Sequence, residues 1–146
     1  MNILVAGGTG FVGSHLVPAL LAAGHRVRCL SRDPQRASRR LPSAAEIVRG
    51  DVHDPDSLRV AMRGIDVAYY LVHSMEGSEF AFEERDRAAA RNFPAAAEDA
   101  GLRRIIFLGG LGDEASQLSA HLRSRHEVGA ILRAGTVPVT ELCAPA

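Results

Sequence analysis

The chain has 146 residues, 47% hydrophobic and 23% charged, the size and balance of one globular domain with an ordinary core. Its 17 lysine-plus-arginine positions, all arginine, equal its 17 acidic ones, so no net charge recruits a polyanion and nucleic acid is not an expected partner. No basic stretch leads into an apolar one at the start, and no apolar run approaches the roughly 18 residues of a membrane span, so a cytoplasmic protein is expected.

Residues 3–5, Ile-Leu-Val, form a short run without a polar face, the pattern of a strand buried on both sides. Gly7, Gly10 and Gly13 follow, each three positions on from the last, and a helical period over residues 15–23 is closed by Gly24. Such a strand–glycine turn–helix unit binds anions. Gly7 permits the tight turn, Gly10 lets a pyrophosphate approach the backbone, and Gly13 lets the helix lie close to the strand. The free N–H groups and positive end of the helix then face the phosphates. With a strand before the glycines and a helix after them, dinucleotide binding is the reading.

Residues 26–30 alternate polar and apolar as a second strand, ended by Ser31-Arg32-Asp33-Pro34. Pro34 opens a short helix over 35–40. Residues 46–48 are a third strand, ending at Gly50-Asp51. Asp54-Pro55-Asp56 supplies a cap, a proline at the first helical position and an acid in the first turn of a helix that runs to Arg63 and stops at Gly64. Residues 65–72, apolar at nearly every position after Asp66, predict a central parallel strand, with a loop from His73 to Gly77 at its carboxyl end. A long alanine-rich helix spans 79–100 with Gly101 as its stop, and Pro94 predicts a kink or break near Asn92. Residues 105–108 are a fifth strand, 119–133 a helix ended by Gly135, and 137–142 a sixth strand. Cys29 and Cys143 sit in apolar strand-like runs and are expected as reduced core residues.

The alternation predicts an α/β fold, a Rossmann-type doubly wound parallel sheet in three αβα layers with strand order 3-2-1-4-5-6, forming one domain over residues 1–146. The ligand crevice falls at the carboxyl edge, where the strand order reverses.

The chain resembles an atypical short-chain dehydrogenase/reductase, of the branch related to NAD(P)-binding epimerases and nitrogen-metabolite-repression regulators. The resemblance covers nearly the whole length and rests on Gly7-Gly8-Thr9-Gly10-Phe11-Val12-Gly13, Ser31-Arg32-Asp33-Pro34, Gly50-Asp51-Val52 and the run from Arg104 to Leu108. Tyr69-Tyr70-Leu71-Val72-His73-Ser74-Met75 is similar to a bacterial subgroup of NAD(P)H-binding proteins. The resemblance implies that the segment Gly7, Thr9, Gly10, Phe11, Val12 and Gly13 forms the diphosphate loop. It implies that Asp51 hydrogen-bonds the adenine amino group with the Val52 backbone beside it, the alternative for Gly50-Asp51 being a surface turn. His73 faces the cofactor edge in such a fold.

The end of the second strand separates NAD from NADP. An NAD site needs a carboxylate there for the ribose 2′-hydroxyl. This chain offers Ser31 and Arg32, and a guanidinium suits a 2′-phosphate, with Arg36 able to help. NADP is the expected cofactor, and Asp33 keeps NAD open as the alternative.

The family's serine after the fifth strand and its Tyr-x-x-x-Lys pair fall, position by position, on Gly110, His121 and Arg125. All three are replaced, and Ser116 and Ser119 do not restore the spacing. His121 can move a proton near neutral pH, and Arg125 can hold ribose hydroxyls without exchanging protons. His121 and Arg125 are therefore the catalytic candidates, the alternative being that His121 merely decorates a cofactor-binding helix. His15, His25, His53 and His126 receive no role, and no metal site is expected. Family members continue past the sixth strand into a substrate-binding portion, so this chain is expected either to be part of a longer protein or to lack that portion.

Two main functions compete. One is an NADP-dependent oxidoreductase acting on a small carbonyl or sugar-like substrate, as a monomer or a homo-oligomer. The other is a non-catalytic module that senses NAD(P) or holds it structurally. A partner-binding scaffold with a vestigial loop ranks behind both, because Gly10 and Arg32 are retained.

Overall fold

A computed structural model describes residues 1–72, 79–111 and 119–144, leaving aside the side chains of 79–82. The strands among these residues form a single parallel sheet in the order β3-β2-β1-β4-β5-β6.

β1 (Asn2–Ala6) lies between β2 (Arg26–Ser31) and β4 (Val67–Tyr70), with Val5 in register with Cys29 on one side and Tyr69 on the other. Its side chains alternate between two cores, as the two-residue period of a strand requires. Ile3 and Val5 pack with Val17 of α1 (Phe11–Ala22) and Ala37 of α2 (Pro34–Ser38). Leu4 and Ala6 pack with Leu58 of α3 (Pro55–Ala61), Phe93 of α4 (Glu79–Asp99) and Val128 and Leu132 of α5 (Ala120–Arg133). Two helices thus cover one face and three the other. This is what right-handed crossovers produce when strand order runs outward from β1 to β3 (Glu46–Arg49) and then back through β4 to β5 (Arg104–Gly110) and β6 (Val139–Ala144).

The local signals act as their chemistry predicts. Asp33 and Asp54 cap α2 and α3 by accepting from the main-chain N–H of Arg36 and Asp56, each followed by a proline in the first turn. Gly24, Gly64 and Gly101 leave their helices at φ +86°, +71° and +69°, where a side chain would be strained.

One expectation is corrected, and half of another. Of the kink or break expected near Asn92, the break is absent, since α4 continues through Pro94. A proline removes one helix hydrogen bond, but Ala89, Ala90, Phe93, Ala96 and Ala97 are all buried around it, and Phe93 meets the ring of Tyr70 edge-on at 4.9 Å. That packing holds both halves of the helix to the sheet. Cys143 is exposed on the outer strand β6, whereas Cys29 is buried and its thiol is pushed up to about 11 by burial.

Candidate functional site

The glycine turn places the start of α1 at the carboxyl edge of β1. Gly7 adopts φ +94° with its α-carbon against the Leu71 backbone, so a side chain there is both strained and obstructed. The Gly10 N–H donates to the Gly7 carbonyl at 3.1 Å, and Gly10 caps α1 in an extended conformation. α1 begins at Phe11, four residues before the expected start, because Gly10 rather than a polar residue supplies the cap. α2, α3 and α5 each begin on a capping side chain; α1 has none, and no acid sits in its first turn. Its leading N–H groups and dipole are therefore left to an anion.

A cleft of about 770 Å³ opens in front of this helix end. Gly7, Thr9, Gly10, Arg32, Arg36, Asp51 and Val52 all line it, so it gathers these residues from three separate stretches of sequence. A smaller recess of about 220 Å³ adjoins it at Gly7 and Gly10, lined by Phe11, Val12, Gly13, His121 and Arg125. His73 and Ser116 lie outside the described residues.

The cleft is cationic at one end. Arg32 and Arg36 are joined there by Arg40, past the end of α2, and Arg85, from α4. Asp33 is committed as the α2 cap, its Oδ1 accepting from the Arg36 N–H at 3.1 Å. On Asp51, Oδ1 accepts from the main-chain N–H of His53 at 2.9 Å and lies 3.0 Å from the His53 ring nitrogen Nδ1. Burial works to raise the Asp51 carboxyl, but the His53 hydrogen bonds and charge, with the Arg32 charge, outweigh it and hold the group below its ordinary value. With both His53 contacts on Oδ1, Oδ2 has no hydrogen-bond partner among the described residues.

In the recess, Gly110 and Leu122 are complementary. A side chain at Gly110 would enter the space that the end of Leu122 fills. Arg125 is only 7% exposed. Its guanidinium donates to the carbonyls of Val72 and Leu108, at the ends of two neighbouring strands, and lies 4.8 Å from the centre of the Phe107 ring. Burial lowers its affinity for a proton, opposed by Tyr70, Asp86 and Glu141, and a guanidinium stays charged regardless. Asp86, buried near it, accepts from the Ser124 hydroxyl at 2.9 Å.

Sequence reasoning missed Arg40, Arg85 and His53. Arg40 stands four residues after Arg36, a helical spacing that could have revealed it. Arg85 and His53 reach the cleft through the packing of α4 beside the Asp51 loop, a contact 32 residues apart that no local pattern encodes.

A parallel sheet with an uncapped, glycine-led helix at its switch point defines a nucleotide-binding class of α/β protein. A family model described as NAD(P)H-binding matches residues 7–137, so the chain belongs to the NAD(P)H-binding family, within the atypical short-chain dehydrogenase/reductases. Among curated proteins it is 34% identical over 117 residues to "3 beta-hydroxysteroid dehydrogenase/Delta 5-->4-isomerase" of Mycobacterium tuberculosis, covering 73% of this chain and 30% of that protein. The chain thus spans about a third of the length of the curated relatives it matches. Among solved structures it resembles the Bordetella bronchiseptica enzyme WbmG, in complex with NAD, at a TM-score of 0.82 and 20% identity, over 98% of this chain and 52% of that one. It also resembles the Citrobacter sp. triphenylmethane reductase, complexed with NADP(H), at a TM-score of 0.80 and 23% identity, over 97% and 48%. At these identities the two structures speak for the fold. No helix among the described residues is long and apolar enough to cross a membrane.

Proposed function

We propose that the chain is the dinucleotide-binding portion of a cytoplasmic NADP-dependent oxidoreductase that acts on a small carbonyl or sugar-like substrate. The carrying observation is the arginine rim of Arg32, Arg36, Arg40 and Arg85 around the cleft in front of an uncapped helix. The residues present fit a dinucleotide. Space above Gly10 is open except for the Gly7 oxygen, and no acidic residue sits in the first turn of α1. In this reading the N–H groups at Phe11, Val12 and Gly13 hold the diphosphate, and Oδ2 of Asp51 accepts from the adenine amino group beside Val52. Arg32 and Arg36 clamp the 2′-phosphate: both guanidiniums line the cleft where the second strand ends, and Oδ1 of Asp33 is engaged in capping α2. The bound dinucleotide supplies hydride transfer, and His121 is the side chain of the recess able to hold or move a proton.

Calorimetry on the purified protein tests the reading. NADPH is expected to bind at least about tenfold tighter than NADH, the scale of one charge-assisted phosphate contact. Arg32→Glu is expected to reverse that order. Equal affinities that the substitution leaves unchanged would overturn the 2′-phosphate assignment.

A second reading, a module that holds NAD(P) without turning it over, is favoured by two features of the recess. Gly110 offers no hydroxyl and Leu122 fills its place, and Arg125 is engaged with strand carbonyls.

A further inference from the structure

His53 sits two residues after Asp51, and its ring bridges that loop to α4. Nδ1 stands 3.0 Å from Asp51 Oδ1, and Nε2 stands 3.1 Å from the main-chain oxygen of Arg85. A carboxylate and a helix carbonyl are both acceptors only. A neutral imidazole has one N–H, so it must turn a bare lone pair toward one of these oxygens. The imidazolium donates to both. The proton does not reside on the carboxyl side, since Asp51 is held below its ordinary value.

We propose that His53 is a positioning residue for dinucleotide binding: with its ring charged, it fixes Asp51 so that Oδ2 faces the cleft and ties the Asp51 loop to α4, and loss of the ring proton weakens binding. This rests on the dinucleotide reading above. The tie has a companion that does not titrate, since Asn92 Nδ2 donates to the Val52 carbonyl at 3.1 Å. Deprotonation of His53 therefore leaves the loop docked and loosens the aim of Asp51, which makes the effect graded. The other charged groups lining this end of the cleft are Arg32, Asp33, Arg36, Arg40 and Arg85. The arginines stay charged throughout, and Asp33 is committed as the α2 cap.

The test measures the Kd for NADH from about pH 5.5 to about pH 8.5, the range that brackets ordinary histidine titration. NADH lacks the 2′-phosphate, whose own ionisation would otherwise contribute to the slope. Affinity is expected to be full on the acid side and to fall roughly three- to tenfold as pH rises, the span of one partly exposed charged hydrogen bond. His53→Gln, neutral at every pH, is expected to flatten the profile at the weaker level. In ligand-free protein, the ring nitrogen-15 signals that His53→Gln removes are expected to show both nitrogens protonated on the acid side, losing the proton where affinity falls. Should His53→Gln melt early, Asp51→Asn must flatten the profile too. A flat wild-type profile, an unchanged slope in His53→Gln, or a ring already neutral where NADH binds fully would overturn the proposal alone. No binding of either NADH or NADPH at any pH would overturn the dinucleotide reading and this one with it.

Discussion

A side chain added at Gly10 meets one atom, the Gly7 carbonyl oxygen at 3.3 Å, whereas one added at Gly13 overlaps that oxygen and the Gly8 backbone. The two glycines are three residues apart and differ in surroundings: Gly10 leaves the space in front of the helix open, and Gly13 lets α1 lie against the turn. Gly10→Val is therefore expected to abolish NADPH binding while shifting the melting temperature by no more than about 4 °C, the cost of one altered helix cap. Gly13→Ala is expected to lower stability by about 1–3 kcal/mol with or without cofactor, because the obstruction is backbone and cannot rotate away. Calorimetry and thermal melts on both variants check the pair. Retained affinity in Gly10→Val with a normal melt would mean that phosphates bind elsewhere. Both glycines, and a different reason for each, were legible in the sequence; the atoms that surround each α-carbon were not.

Among the helices and strands, Arg125 of α5 reaches the ends of β4 and β5 at once. Its contacts to the Val72 and Leu108 carbonyls, its stacking on Phe107 and its burial near Asp86 make it a brace between the sheet edge and the α4–α5 layer. Truncation would leave two carbonyls unmet and remove the compensating charge beside Asp86. Arg125→Ala is thus expected to cost about 2–4 kcal/mol in urea unfolding of the cofactor-free protein, with Arg125→Lys recovering part of it. Unchanged stability with lost cofactor affinity would instead assign Arg125 to holding the ribose. The position was visible in the sequence as a replacement for the family's lysine; its burial was not, because the carbonyls it meets are 17 and 53 residues away. The same limit hid His53. Where periodicity and turn chemistry are local, as for the proline start of α2, the capped start of α3 or the glycine stops, the sequence reading and the structure coincide. Where a rule about one residue competes with burial of its neighbours, as at Pro94, packing prevails.

At the scale of the whole molecule, the strand order brings residues 7–13, 108–110 and 121–125 together at the carboxyl edge, although they are far apart in the chain. The order itself was readable, because strands and helices alternate and parallel crossovers allow few topologies. What this meeting can do depends on its members. Phe11 is 84% exposed, and Leu111 and Leu142 are also exposed apolar residues at this side of the sheet. Gly110 supplies no hydrogen bond to a substrate carbonyl, Leu122 stands where a hydroxyl would project, and Arg125 is held by main-chain oxygens. Among the described residues of the recess, His121 retains a transferable proton. NADPH oxidation against aldehydes, ketones and quinones is therefore expected to be slow in the 146-residue chain. His121→Ala is expected to reduce any remaining turnover about 100-fold or more, the contribution of a general acid, without changing the Kd for NADPH. Gly110→Ser is not expected to raise the rate unless Leu122 is also shortened, since the new hydroxyl and the leucine compete for one space. Robust turnover that survives His121→Ala would show that the proton comes from another group, and a rate gain from Gly110→Ser alone would show that Leu122 yields its place.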